Sequence, residues 1–160
     1  MKKVILYFAM FTAALMIISC EKDETNQGGS QQTIGKATIT GMVEVNLDMT
    51  NDTAGILYEA VPAGTKLYAK INSKDLVLVP NNGVTYADMY YETTVAADGT
   101  YTFSVDANTK DVTVDITADD FIYQQVQADT TNERTIFSLA GAPSTVVYKG
   151  KYTVLDLMFN

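Results

Sequence analysis

The chain has no histidine and no tryptophan, and Cys20 is its only cysteine. Without histidine, neither a Ser–His–Asp nor a Cys–His hydrolytic centre can be assembled. Zinc sites built from His or Cys ligands are excluded for the same reason. With one thiol, no intramolecular disulfide can form, so stability must come from the core. Positive charge is scarce as well. There are 11 Lys and Arg against 19 Asp and Glu, a net charge of −8, and Arg134 is the sole arginine. The lysines of the body are scattered and form no basic patch, so a nucleic acid would be repelled. What the chain does have is 47% hydrophobic residues in 160, enough for one ordered domain with a packed core.

The first twenty residues differ from the rest. "MKK" is a short positive start, and "VILYFAMFTAALMIIS", residues 4–19, is an uncharged apolar run. The run is shorter than the ~20 residues that span a bilayer, and charge follows at once. This reads as a secretory leader, residues 1–19, with a retained anchor as the competing reading. Once Lys2 and Lys3 are removed, the 19 acids face 9 bases, about −10.

Ile17-Ile18-Ser19-Cys20 resembles the lipobox of bacterial lipoproteins, with Ile17 where leucine is commoner. The resemblance implies that Cys20 carries the lipid and that signal peptidase II cuts between Ser19 and Cys20. The alternative is an ordinary secretory signal with a cysteine placed by chance. Two or three acyl chains, at about 0.8 kcal/mol per buried methylene, hold a protein to a membrane effectively permanently. Lys22, Asp23 and Glu24 follow, and a lysine with two acids after the lipidated cysteine is similar to the export signal of Bacteroidota surface lipoproteins. That likeness implies the outer membrane, facing the medium. A solvated charge cluster at the head of a tether is the alternative.

"TNQGGSQQTIG", residues 25–35, is rich in Gly, Ser, Gln and Asn and completes a flexible tether, residues 20–35. From residue 36 onward the texture is alternating Thr, Val, Tyr, Ile and Leu. "KATITGMVEV", "TKLYAKIN" and "KDVTVDIT" each place apolar residues on one side, the last with Val112, Val114 and Ile116 inward. In "YETTVAADGTYTFSV" two such runs flank Asp98-Gly99, a pair suited to a tight hairpin turn. "RTIFSLAG" and "YTVLDLMF" complete about seven strands, and the last is apolar on both sides, which predicts a central or covered position. No window has helical period. The expectation is an all-β, two-sheet sandwich over residues 36–160.

Within it, "TITGMVEV", "VPAGTKLYAKI", "ETTVAADGTYTFSV" and "DVTVDITADDF" resemble the carboxypeptidase-regulatory-like domains, which have a transthyretin-like (prealbumin-like) or Cna-B-like sandwich. Gly41, Val43, Pro62, Gly64, Asp98, Gly99, Tyr101 and Phe103 sit at matching places. The likeness covers residues 38–121. Residues 74–91 form a longer insertion than the pattern expects, and the chain continues past it. The resemblance implies a non-catalytic module.

Candidate chemistry is thin. Carboxylate pairs such as Asp119 with Asp120, or Glu92 with Asp98, would suit glycoside hydrolysis, but acids this common serve mostly as solvated surface. Calcium is a weak possibility at Asp106, Asn108 and Asp111, at Asp119 and Asp120, and at Asp48 and Asp52. None fits an EF-hand loop, and Asp and Asn also cap turns. No other cofactor is expected. Tyr86, Tyr90 and Tyr91, in "PNNGVTYADMYYE", are candidate ligand-binding residues, because flat rings with a polar tip stack on sugars. Tyr90 and Tyr91 must face opposite ways in a strand, which points one of them at the core. The function expected is a surface lipoprotein presenting a binding or structural module that docks to another envelope protein. A carbohydrate-binding module and a fimbrial or adhesin-like subunit are the alternatives.

Overall fold

The computed structural model describes residues 33–160. The expected leader, Ser19, Cys20 and the export signal Lys22, Asp23 and Glu24 lie outside the described residues. The described part is all-β.

The organising strand is β1 (Gly35–Val45). It pairs antiparallel with β5 (Thr100–Ala107) along one edge, from Gly35 opposite Ala107 to Met42 opposite Thr100. On its other edge β1 runs parallel to β10 (Tyr152–Val154) and then to β11 (Leu157–Met158). The two-residue strand β2 (Glu59–Ala60) adds to the far end of β1. The second sheet has the order β4 (Asp88–Thr94), β3 (Lys66–Asn72), β6 (Val112–Ala118), β9 (Ser144–Val147), antiparallel throughout. A separate hairpin, β7 (Phe121–Val126) with β8 (Asn132–Phe137), completes the eleven strands.

Alternation explains the core. Ile39, Val43 and Val45 of β1 meet Tyr101, Phe103 and Val105 of β5, and Leu67, Ala69 and Ile71 of β3 sit beside Val112, Val114 and Ile116 of β6. All are buried, and their sequence neighbours face water. Tyr101 and Phe103 add an edge-to-face contact at 5.6 Å.

Three expectations change in detail. The turn at Asp98-Gly99 forms: the Gly99 N–H donates to the Ala96 carbonyl at 3.1 Å, and Gly99 has φ +79°. The strands it joins are not hairpin partners, however. β4 pairs with β3 and β5 pairs with β1, so the turn carries the chain from one sheet to the other. Local alternation cannot distinguish these two uses of a tight turn.

The last strand is also not covered along its length. Leu157 and Phe159 are buried, but Tyr152 and Val154 are exposed on the outer face. It divides into β10 and β11 because residues 155 and 156 bulge over Gly41. A Cβ on Gly41 would lie 2.0 Å from the Leu155 carbonyl oxygen, so only glycine lets the strands close there. The Asp156 carboxylate accepts the Met42 N–H at 2.9 Å and completes the pairing across the bulge.

Third, there are more strands than the seven expected. β2, β7 and β9 carry little alternation of their own, and their places are fixed by pairing with distant segments.

Candidate functional site

The hairpin β7–β8 is tied down at both ends. The Val126 N–H donates to the Leu47 carbonyl at 2.9 Å. Beyond β8, Ser138 exchanges two backbone bonds of 3.0 Å with Asn160, and the Ala140 N–H reaches the Met158 carbonyl at 2.7 Å. Inside this frame Phe121 stacks on Phe137 at 5.3 Å and touches Phe159 at 5.3 Å. Between the hairpin, the β11 segment and the loop that follows β1 lies a groove of about 350 Å³. Phe137 and Phe159 form its floor, Ile56, Tyr58 and Met158 its rim. No charged side chain lines it.

The loop between β1 and β2 is built by its own acids. Asp52 accepts the Asn46 side-chain amide at 2.7 Å with one oxygen and the Leu57 N–H at 2.7 Å with the other. Glu59 accepts the Leu47 N–H at 2.8 Å. Asp48 caps a single 3-10 turn, Met49–Asn51, by accepting from Thr50. Those bonds hold the Asp48 carboxyl below its ordinary pKa. The result pushes Ile56 and Leu57 outward, 57% and 55% exposed.

One polar atom in the groove wall is left over. Asn46 Oδ1 is buried and has no hydrogen-bond partner. Flipping the amide cannot relieve it, because Asp52 requires the donor nitrogen where it stands. The neighbouring amide of Gln125 is occupied: its Nε2 donates to the Asn46 carbonyl at 2.8 Å and its Oε1 accepts from Gln127.

The residues singled out from sequence lie elsewhere and do not converge. Tyr90 points outward from β4 and is exposed. Tyr91 points inward and clamps the two sheets: its hydroxyl donates to Asp106 at 2.9 Å and accepts the Asp106 N–H at 3.3 Å. Burial, the largest influence, raises the Tyr91 pKa to about 12. Lys36 pairs with Asp106 at 2.7 Å, and this contact, with the Tyr91 bond, depresses the Asp106 carboxyl. Tyr86 sits in the loop before β4, where its hydroxyl accepts the Asn81 N–H at 2.8 Å. Tyr90 and Tyr91 thus face opposite ways.

Several oxygens of the candidate clusters bond within the chain. Asn108, 1% exposed, donates to the Asp75 carbonyl at 2.9 Å and accepts the Lys110 N–H at 2.6 Å. Asp119 accepts from Tyr68 at 3.1 Å, and Glu92 pairs with Lys66 at 2.7 Å. Among the described residues no three acids gather as a metal site would require. A cleft of about 500 Å³ lies where β6 meets residues 138–143, with the Lys70–Asp115 ion pair at its side. Neither buried atom left without a hydrogen bond, Asn46 Oδ1 or Thr153 Oγ1, lines it.

Ile56, Tyr58, Met158 and Asn46 were not singled out from sequence. The available signal was "GILYEA", an apolar triplet following the turn-rich "NDTAG". Three apolar residues in a segment too short and too polar to be a core strand mark an exposed patch.

No family model matches the chain, and no curated protein matches it. Among solved structures it is similar to the crystal structure of the major plantain pollen allergen Pla l 1. The identity is 16% and the TM-score 0.36, over 78% of this chain and 94% of that one. A likeness at that level assigns no activity or ligand.

Proposed function

We propose that this protein is a lipid-anchored outer-membrane protein, attached through Cys20 and facing the medium, whose sandwich is a non-catalytic module that docks to another envelope protein. The observation that supports docking is the groove beside β7 and β8. Large apolar side chains are exposed around it. Exposed apolar patches of this kind mark interaction surfaces. The anchoring rests on the resemblance of residues 17–20 to a lipobox. Tyr91 is turned inward to Asp106, so a sugar-stacking platform would rest on Tyr86 and Tyr90 without it. β10 and β11 pair with β1, so polymerisation through the last strand would require them to be exchanged between copies.

The anchoring is tested by feeding cells an alkyne fatty acid and reading label on the protein. Label should appear on the wild type, vanish from Cys20→Ser, and coincide with accessibility to added protease on intact cells. Label retained by Cys20→Ser would overturn the anchor.

A further inference from the structure

We infer that the groove between Tyr58, Phe137 and Met158 seats an apolar side chain of another protein, and that the partner surface around that side chain is basic. This deepens the docking reading and rests on it.

The groove selects its occupant by three properties. Its rim is aliphatic as well as aromatic, with Ile56, Met158 and Tyr58. A pyranose stacks on a bare ring face and needs several polar groups around it, whereas an aliphatic or aromatic side chain packs against such a rim by burial alone. Met158, unbranched and polarisable, adapts to the shape of what enters. Second, the amides in its wall are engaged within the chain, Asn46 with Asp52 and Gln125 with the Asn46 carbonyl, which favours an apolar occupant. Third, the groove is ringed by acids. Residues 37–65 contain Glu44, Asp48, Asp52 and Glu59 and no lysine or arginine. Two of them contact lining residues: Glu44 is opposite Met158 and Asp52 holds Asn46. Glu59 follows the lining residue Tyr58, and Asp48 bridges to Val126, the neighbour of Gln125. A second copy of this chain would bring the same acids against these, at a net charge of −8 per chain, so the occupant is a different protein. Basic residues around its anchor would complement this rim, and the anchor itself would be the interaction's centre.

Position agrees with this. The 11 residues of β1 span about 35 Å, from Gly35 to Val45, and the groove lies at the Val45 end. It is therefore at the end of the sandwich away from where the chain enters it.

The test places a photo-cross-linking amino acid, one position at a time, at Ile56, at Tyr90 and at Tyr152 of the full chain in its own cells. Expected is one protein captured from Ile56 and not from Tyr90 or Tyr152. Its cross-linked peptide should carry Leu, Ile, Phe or Met flanked by Lys or Arg. Met158→Asp should lower the yield at Ile56 at least tenfold, as should Tyr58→Asp independently, with the cell-surface amount of each variant unchanged. Glu92→Gln should leave it as it is. A partner captured from Tyr90 or Tyr152 but not from Ile56 would end this inference and keep the docking reading. So would capture of this same chain, or of an acidic peptide, at Ile56. No capture from any position would sink both.

Discussion

The outer face of β3, β4 and β6 and the groove beside β7 and β8 use similar residues and differ in what is left without a partner. On the sheet face every long charged side chain has found its opposite. Lys66 pairs with Glu92 at 2.7 Å, Lys70 with Asp115 at 3.2 Å, and the Tyr68 hydroxyl donates to Asp119. Anything binding there would first have to break those pairs. At the groove the acids are turned to building a loop, and the apolar side chains beside them are uncovered. A partner landing there displaces nothing. The contrast shows why a tyrosine-bearing face can be a finished surface, while a segment with one tyrosine is an unfinished one.

The comparison is most strongly broken by removing the groove's floor. Phe137 is buried against Phe121 and Phe159. Phe137→Ala should cost about 4 kcal/mol, by lost burial and an unfilled cavity. A lower urea midpoint would register it. Amide exchange should quicken in β7 and β8 far more than in β3 and β4. Equal quickening everywhere would mean that the hairpin is not a separable floor.

Next is the bulge that shapes the groove's other wall. Gly41→Ala forces a Cβ against the Leu155 carbonyl, so β10 and β11 cannot keep their present register. The cost should be about 3 kcal/mol, towards the upper end for an overpacked site, again read from denaturant unfolding. A change below 1 kcal/mol would show that the bulge relaxes freely.

The seam between the sheets gives a smaller, pH-coded effect. Tyr91 has a folded pKa raised to about 12, above the ~10 of an unfolded tyrosine. Its contribution is therefore complete below about pH 10 and is lost as pH rises through about 12. Asp106, held low by Lys36 and Tyr91, contributes above the ordinary Asp range near pH 4 and loses that contribution as pH falls through its depressed value. Tyr91→Phe should lower stability at neutral pH by about 1 kcal/mol and flatten the alkaline loss between pH 10 and 12. An unchanged alkaline slope would remove Tyr91 from the seam.

What the sequence disclosed and concealed divides along the same lines. The inward sides of β1, β3, β5 and β6 were legible because each strand alternates over seven or more residues, and period two is a local signal. The turn at Gly99 was legible because positive φ needs a particular residue. Its use as a bridge between sheets was not, since that depends on β4 meeting β3 and β5 meeting β1. The groove was hidden for the same reason. Its walls come from residues 46–58, 125–137 and 158–160, brought together by backbone bonds between segments of little alternation. Tyr86, Tyr90 and Tyr91 drew attention through composition, and composition does not say which way a ring points.

The smallest effect separates the two surfaces most cleanly. Lys70 and Asp115 are both well exposed, and an ion pair of that kind contributes about 0.5 kcal/mol or less. Lys70→Ala should therefore barely move the unfolding midpoint. Ile56→Ser should barely move it either, because Ile56 already stands in water. Equal silence in stability is what makes the pair useful. If Ile56 is exposed for a partner, Ile56→Ser weakens docking on the cell surface while Lys70→Ala does not. A loss of more than about 1 kcal/mol of stability from Ile56→Ser would instead mean that this side chain packs against its own domain, and the groove would then be a covered part of the core.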